Sequence, residues 1–306
     1  MARPITNMAR FVEAHLELGG KLNEYILTGR GREKLNDEAR ENLRDRSAKS
    51  LKATNPRARI AFVEALDREL SQYFDQGESP DKLFWVTITP RAWACPHIIA
   101  DQFDNRNARR DLISLLQGLS YVGMIDAAFY GNKTASAWDR STNGYVHSQI
   151  MSFHAHLLVW GRDVTYMEGL RDAHNLFVPS LFPGHDSFFF RAITPSKARE
   201  KAFYMAKAPL KEMRIQKKTA PVEIANSETG EFFEMPRPRV RSRKGGLRQG
   251  DACKIHNALS RFSIPDFALA HGAGRRIMRL SIESAQQRLQ REDDEQRQEI
   301  SRLLRL

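Results

Sequence analysis

The sequence predicts an α+β fold, an antiparallel sheet with helices behind it, and three observations support this class. Segments between residues 81 and 213 alternate apolar and polar residues with the period of a β-strand. Other segments space their apolar residues as a helix does. The 306-residue chain is 41% hydrophobic, which is enough to bury a core. Strands layered against helices around such a core form one of the few stable domain architectures.

Three regions follow along the chain. Residues 1–80 are predicted to form an N-terminal helical region, because stretches such as 61–74 place their apolar residues mostly at helical spacing. Residues 81–213 form the central domain, where strand-like and helix-like segments alternate. Residues 214–306 contain a predicted hairpin, a basic segment and a long polar C-terminal helix, which could serve assembly.

The central domain contains four predicted strands. Each is short, apolar on at least one face and bounded by polar or turn-forming residues, and they cover residues 82–90, 121–130, 145–160 and 187–193. A helix is expected between the first two strands, beginning near residue 101 and carrying its apolar residues at 112–119.

Two histidines lie two residues apart on the third predicted strand. His154 and His156 share a face, because side chains two apart on a strand point the same way. Neutral imidazoles so placed can bind one divalent ion, and an oxygen ligand from a neighbouring strand can complete the set. Asp126, a lone charge among apolar neighbours, is our candidate, with Gln149 and His147 as alternatives on the opposite face of a regular strand. Ordinary surface histidines would give the same pattern.

A tyrosine and two lysines share one stripe of a helix predicted over residues 196–208. Tyr204, Lys207 and Lys211 lie at positions i, i+3 and i+7. A phenol is a weak nucleophile, and a nearby cation or metal favours the phenolate. Pro209 is expected to end or kink the helix before Lys211. The alternative is a tyrosine at the edge of the core with its hydroxyl group in water.

Three motifs follow one another along the central domain: Phe-Trp-Val-Thr-Ile-Thr-Pro at 84–90, His-Ala-His at 154–156 and Tyr-Met-Ala-Lys at 204–207. Their order resembles that of the HUH-type endonucleases, especially the single-tyrosine rolling-circle replication initiators of plasmids and phages. Relaxases of conjugation usually have the reverse order and are less similar. The resemblance covers residues 82–213 and neither end. Ala155 is smaller than the apolar residue common in the family, and Asp126 stands where the family often has a glutamate.

The resemblance implies an HUH-type nicking domain over residues 81–213, with a ferredoxin-like split βαβ core whose open sheet face carries the histidines. It implies that Tyr204 attacks a phosphodiester of single-stranded DNA, giving a 5′-phosphotyrosine and a free 3′-hydroxyl, while Lys207 stabilises the charge. A divalent ion, Mg²⁺ or Mn²⁺, would polarise and orient the phosphate. Its implied ligands are His154, His156 and Asp126.

The charge of the chain predicts a polyanionic partner. With 48 Lys and Arg against 37 Asp and Glu, the formal net charge is +11. The segment 237–248 holds six of these basic residues, no acid and two glycines, so we expect a flexible segment that follows a DNA backbone. A solvated loop would look the same. The residues expected to contact DNA are Thr87, Thr89, Lys211, Arg237, Arg239, Arg241, Arg243, Lys244 and Arg248.

The expected function is a replication initiator that nicks and rejoins DNA at a rolling-circle origin. Its partners would be single-stranded DNA or an origin hairpin, and strand displacement would also require a host helicase. The alternatives are a single-strand DNA transposase with the same chemistry, or a non-catalytic nucleic-acid-binding module. Only Cys95 and Cys253 are present, and no secretory signal or membrane-spanning run is evident, so we expect a cytoplasmic protein without a membrane partner.

Overall fold

The computed structural model describes residues 5–28, 31, 33–44, 50–75, 80, 82–134, 149–181, 185–225 and 232–303. Its helices are α1 (Met8–Leu27), α2 (Asp37–Arg44), α3 (Pro56–Asp75), α4 (Asn105–Leu115), α5 (Val164–Phe177), α6 (Pro195–Ala206), α7 (Gln249–Leu259), α8 (Ile264–Phe267) and α9 (Gly274–Leu303). Its strands are β1 (Leu83–Ile88), β2 (Ala94–Pro96), β3 (Ser120–Thr134), β4 (Gln149–Trp160), β5 (Phe188–Ile193), β6 (Lys211–Ala225), β7 (Phe232–Gly246) and β8 (Ala268–His271).

The strands form one curled sheet, shaped as a half-barrel, in a mixed α+β fold. Their order is β5-β1-β4-β3-β6-β7, with β2 beside β4 and β8 beside β3. Every pairing is antiparallel except the short one between β3 and β6. The α+β class and the four strands of the central domain are therefore confirmed.

The helix expected from residue 101 begins later. Residues His97–Gln102 form a 3₁₀ helix, and α4 starts at Asn105. Asp104 defines this start, because its side chain accepts hydrogen bonds from the backbone N–H groups of Arg106 and Asn107. The predicted start, four residues too early, missed this N-cap.

Helices cover both faces of the central strands. On the face of β4 that carries the histidines, Trp160 packs against Tyr73 of α3, with ring centroids 5.6 Å apart. On the other face, Phe153 stacks on Phe103 with centroids 3.9 Å apart. The expectation of one open sheet face is therefore wrong. Leu158 and Trp160 follow the histidines on the same face of β4, and both of these apolar side chains are buried.

The hydrophobic core extends from α1 to α9. Phe11, Phe62 and Leu289 belong to the same cluster of buried side chains as the central strands. The C-terminal helix α9 lies along α3, where Arg57 forms an ion pair with Glu292 (Nη2 to Oε2, 3.0 Å). The helix suggested for assembly thus buries its apolar side, including Leu289, within its own chain.

The helix that carries Tyr204 is shorter than predicted. α6 ends at Ala206, and Lys207 has an extended backbone with φ −63° and ψ 148°. Pro209 disfavours helical geometry in the residue before it and has no N–H to donate. The predicted helical stripe through Lys211 is therefore wrong, because this residue is the first of β6.

The basic segment is a strand instead of a flexible loop. β7 pairs with β6 from Lys211 opposite Gly246 to Ala225 opposite Phe232. The hairpin predicted at 221–236 is therefore the outer part of a longer two-stranded ribbon, whose connection at 226–231 lies outside the described residues. The two glycines predict a flexible segment, but backbone hydrogen bonds between the two strands hold it in a regular strand.

Candidate functional site

The register of the sheet brings the three proposed metal ligands together. His154 and His156 lie on β4, and Asp126 on β3 is directly opposite His154. Residues that are directly opposite on paired strands share a face, so all three side chains lie on the same side of the sheet. One ligand atom of each lies within 4.8 Å of those of the other two.

The donor atoms fit a divalent ion. The Nε2 atoms of His154 and His156 are 3.1 Å apart, and Asp126 Oδ2 is 3.8 Å from His154 Nε2. Ligands about 2.1 Å from an octahedral ion are about 3.0 Å apart, so the histidine pair already has a suitable separation and the carboxylate needs a small shift. This buried group could therefore hold a metal ion, with coordination positions left open for a substrate.

The environment favours the ligand-ready protonation states. Burial lowers the pKa of His154, and it lowers the pKa of His156 well below the ordinary value. Burial opposes ionisation of Asp126 too, but Lys207 and His154 favour the carboxylate, and the net effect lowers its pKa. Neutral imidazoles beside an ionised carboxylate are the forms that coordinate a metal.

Each histidine has a partner for its second ring nitrogen. Thr87 Oγ1 is 3.1 Å from His156 Nδ1, and the two residues are directly opposite on β1 and β4. His154 Nδ1 is 3.4 Å from the Ser152 carbonyl oxygen. When each Nδ1–H donates to these oxygens, both Nε2 lone pairs are directed at the shared site. Thr87, which was expected to contact DNA, therefore orients a candidate metal ligand.

We expect Thr87→Val to weaken Mn²⁺ binding by about tenfold or more, because His156 loses the acceptor that fixes its ring. Isothermal titration with Mn²⁺ measures this change. Thr89→Val is the matched control, since Thr89 follows the end of the same strand and its backbone N–H donates to the Ser187 carbonyl. Equal Mn²⁺ affinities of the two variants would contradict the orienting role of Thr87.

Tyr204 is held against the ligand group by aromatic contacts. Its ring centroid lies 5.0 Å from that of His156 and 5.9 Å from that of Trp85. Trp85 in turn stacks on His156, with centroids 5.1 Å apart and planes 19° apart. Tyr204, His156 and Trp85 thus form one packed group, which fixes the ring of Tyr204 beside the candidate metal ligands.

Three lysines surround the tyrosine ring. The Nζ atoms of Lys207, Lys244 and Lys201 lie 4.3, 5.3 and 5.8 Å from the ring centroid. Lys244 also donates a hydrogen bond to the Tyr204 hydroxyl group (3.3 Å). Ammonium groups placed in this way stabilise negative charge that develops on a phenolic oxygen or on a phosphate.

A cavity of about 230 Å³ connects these groups. Asp126, His154 and Tyr204 line it together with Lys207, and Lys211 and Lys244 also contribute. A phosphate group that enters the cavity would meet the side chain of Tyr204, two candidate metal ligands and several cations. Although Lys211 is not on the helix of Tyr204, β6 brings it to the same cavity.

Lys207 is also the counter-ion of Asp126. Its ammonium group contacts Asp126 Oδ2, the same oxygen that lies 3.8 Å from His154 Nε2. Both side chains are largely buried, so the pairing offsets the cost of a buried carboxylate. A bound metal ion and Lys207 would therefore compete for one oxygen atom.

Two buried side chains of the N-terminal region fix the backbone around Lys207. Arg59 of α3 donates from Nη1 to the last carbonyl of α6 (2.7 Å). The N–H of Ala208 donates to His15 Nε2 (2.9 Å), and His15 Nδ1 lies 2.7 Å from the Phe11 carbonyl. Nδ1 therefore carries the proton, and His15 is neutral with Nε2 as an acceptor.

We expect the protein to lose stability as the pH falls from 6.5 towards 4. Burial lowers the pKa of His15 to about 3 and that of His256 to about 4. Between these values and 6.5 the unfolded chain binds more protons than the folded one. The free energy of unfolding therefore falls by about 1.4 kcal/mol per pH unit for each histidine as the pH is lowered. Urea unfolding at several pH values measures the slope, which His15→Gln should reduce by that amount. An unchanged slope in His15→Gln, or an equal reduction in a His185→Gln control at an exposed histidine, would contradict the assignment.

Of the other residues predicted to contact DNA, neither Thr89 nor Arg248 lines the cavity. Thr89 follows the end of β1, and Arg248 is exposed just before α7. The remaining four residues lie at alternate positions of β7: Arg237, Arg239, Arg241 and Arg243. Their side chains are outside the part of the chain that the structure describes.

Sequence reasoning missed four residues of this site. Lys201 precedes Tyr204 by three positions, so the helical stripe used to find Lys207 could have found it. Trp85 shares a strand face with Thr87, which is a weaker signal. His15 and Arg59 reach the site from helices far away in the sequence, and no local pattern marks them.

In the ranges that the structure describes, no helix is long and apolar enough to cross a membrane. Comparison with protein families, with curated proteins and with solved structures gave no significant match for this chain.

Proposed function

We propose that this protein is a metal-dependent endonuclease and strand transferase that nicks and rejoins single-stranded DNA, as a replication initiator of the HUH type. One observation carries the proposal: Tyr204 packs on His156 beside a cavity that also contains Asp126, His154 and Lys207. A nucleophile, a metal group with open positions and several cations are the parts that phosphoryl transfer requires.

The order of elements supports a split βαβ core of the ferredoxin-like type. The chain runs β1, α4, β3, β4, α5 and β5, which is a β-α-β-β-α-β sequence apart from the short β2. The four strands of this core lie in the order β5-β1-β4-β3, and neighbours among them are antiparallel. The candidate ligands lie on the two strands at one side of this core, and α6 follows it directly.

The proposed reaction forms one bond and breaks one. The Tyr204 oxygen loses its proton and attacks the phosphorus of a phosphodiester. The bond from phosphorus to the 3′ oxygen breaks, and this oxygen takes up a proton. The products are a 5′-phosphotyrosine and a free 3′-hydroxyl, so attack by another 3′-hydroxyl can reverse the step and rejoin the strand. Lys207 and Lys244 stabilise the charge on the phosphate and the phenolic oxygen.

The proposed metal is Mg²⁺ or Mn²⁺, held by Asp126, His154 and His156, and when bound it would supply Lewis-acid polarisation of the phosphate. The mixed imidazole and carboxylate donors suit Mn²⁺ well. The residues of the chain orient these donors: Thr87 and the Ser152 carbonyl hold the two imidazoles.

The β6–β7 ribbon extends the cationic surface away from the cavity. Lys211 and Lys244, which lie on the paired strands at its base two positions apart in register, line the cavity. Further out, β7 carries an arginine at each of positions 237, 239, 241 and 243. We propose that the ribbon follows the DNA backbone that leads to the scissile phosphate, since such contacts give salt-dependent binding without sequence preference.

The test is an adduct assay with labelled single-stranded DNA fragments taken from the replicon that encodes the protein, incubated with Mn²⁺ and run on a denaturing gel. We expect a protein–DNA adduct that survives denaturation, requires the metal and carries the label only when it is on the 3′ side of the nick. Tight binding without any adduct, unaffected by chelators, would favour a non-catalytic binding module and contradict the proposal.

A further inference from the structure

A second groove lies at the edge of the sheet, away from the metal site. It has a volume of about 390 Å³, and β8 forms its floor. Tyr121 of β3 also lines it, and Asp126 follows Tyr121 by five positions on the same strand. An odd separation places two residues of a strand on opposite faces. The groove is therefore independent of the cavity that contains Tyr204.

The floor of the groove is an edge strand. β8 pairs with β3 from Ala268 opposite Met124 to His271 opposite Tyr121. Among the strands that the structure describes, none pairs with the other side of β8. The outer backbone groups of such a strand form a template for an added strand of another chain.

The walls of the groove are apolar and come from two helices. Ile113 of α4 is 45% exposed, and Ile282 of α9 is half-buried. Met278 lies deeper on α9. Alternate side chains of an extended peptide point to opposite sides of the added strand, so they would reach both walls.

The rim of the groove is cationic. Arg109, Arg275 and Arg279 line it, and Glu283 is the one acid among its described lining residues. Glu283 is already paired with Arg279 (3.1 Å). Arg109 donates from Nη2 to the Pro265 carbonyl, and its Nε is buried without a hydrogen-bond partner among the described residues. The groove therefore offers positive charge, chiefly from the exposed Arg275 and Arg279, to a ligand that brings carboxylates.

We propose that this groove binds an acidic, extended peptide segment of a partner protein, which adds as a strand to β8. The main-chain hydrogen bonds of β8 hold the segment. Its apolar side chains point to one side and contact Ile113, and its carboxylates point to the other side and pair with Arg275 and Arg279. The groove thus provides a protein-binding surface that can be occupied while DNA is bound at the opposite face of the sheet.

Fluorescence anisotropy with three labelled peptides tests this proposal on the full chain. The first is Glu-Val-Asp-Ile-Glu-Val-Asp, the second has lysine at each acidic position, and the third is the acidic peptide with alternate amides N-methylated on the edge that would face β8. We expect binding of the first peptide alone. Arg275→Glu combined with Arg279→Glu should weaken it by about tenfold. The matched control is Arg276→Glu, an exposed neighbour that does not line the groove, and it should change the affinity less than about twofold.

Three results would overturn the proposal. An Arg276→Glu variant that weakens binding as much as the double variant would show attraction to general positive charge. Equal binding of the N-methylated peptide would exclude strand addition. Absence of binding by the acidic peptide at low salt would exclude the site itself. Unchanged Mn²⁺ binding in the double variant would verify that the metal site is intact.

Discussion

Tyr204→Phe should abolish the covalent adduct while leaving metal binding and DNA binding in place. The substitution removes only the hydroxyl group, so the ring can keep its contacts with His156 and Trp85. Loss of the nucleophile should reduce adduct formation by about 10³-fold or more. The adduct assay on a denaturing gel measures the covalent product, and anisotropy with the same DNA measures binding.

Tyr166→Phe is the matched control for this substitution. Tyr166 lies on α5 and is 40% exposed, and its hydroxyl group is 3.5 Å from the Gln117 carbonyl, outside the cavity. We expect its adduct yield to equal that of the unchanged protein. An adduct that persists in Tyr204→Phe would assign the nucleophile to another residue. Loss of DNA binding together with the adduct would show that the phenol serves binding.

The grouping of the candidate metal ligands could be predicted because strand geometry is local. The two-residue spacing of His154 and His156 fixes a common face for any regular strand. Asp126 is recognisable in the sequence as a lone charge among apolar neighbours, and the register of β3 against β4 places it opposite His154. Both inferences needed only the alternation of side-chain direction along a strand and the pairing of two neighbouring strands.

The surroundings of the site could not be predicted in the same way, because they depend on contacts between distant segments. Helical spacing suggested one continuous stripe, but Pro209 ends the helical geometry and Lys211 reaches the cavity on β6. Hydrogen bonds of His15 and Arg59 hold this turn from α1 and α3. A polar residue in a helix gives no local sign that it will be buried against a segment many positions away.

The basic segment shows a related limit of sequence reasoning. Two glycines predict a flexible segment, since glycine disfavours strand formation. Pairing with β6 over the whole of β7 overrides this preference, because each strand satisfies the backbone hydrogen bonds of the other. The expected role in DNA binding is unaffected, but its geometry changes from a flexible segment to a ribbon that starts at Lys211 and Lys244.

Lys207→Met should tighten Mn²⁺ binding and yet reduce adduct formation. In the unchanged protein, the Lys207 ammonium group contacts the Asp126 oxygen that a metal ion would use. Its removal eliminates both the competition and the repulsion between two cations, so we expect Mn²⁺ affinity to rise by about tenfold. Adduct formation should fall by about 10²-fold, because one stabilising cation is lost from the reacting phosphate.

Thermal unfolding with and without metal gives a second measure of the same effect. Without metal, Lys207→Met leaves a buried carboxylate without its ammonium partner, so the melting temperature should fall. Mn²⁺ should then raise it by more than in the unchanged protein, because a ligand that binds more tightly stabilises the folded state more strongly.

Lys211→Met separates the role of Lys207 from a general loss of charge. Lys211 lines the same cavity, but the ion pair with Asp126 belongs to Lys207. We therefore expect Lys211→Met to change Mn²⁺ affinity much less than Lys207→Met does. Equal effects of the two variants would mean that only the summed positive charge of the cavity matters. Weaker Mn²⁺ binding in Lys207→Met, measured at a pH that keeps Asp126 ionised without Lys207, would contradict the competition for Asp126, because neither the ammonium group nor a proton then occupies the oxygen that the metal would use.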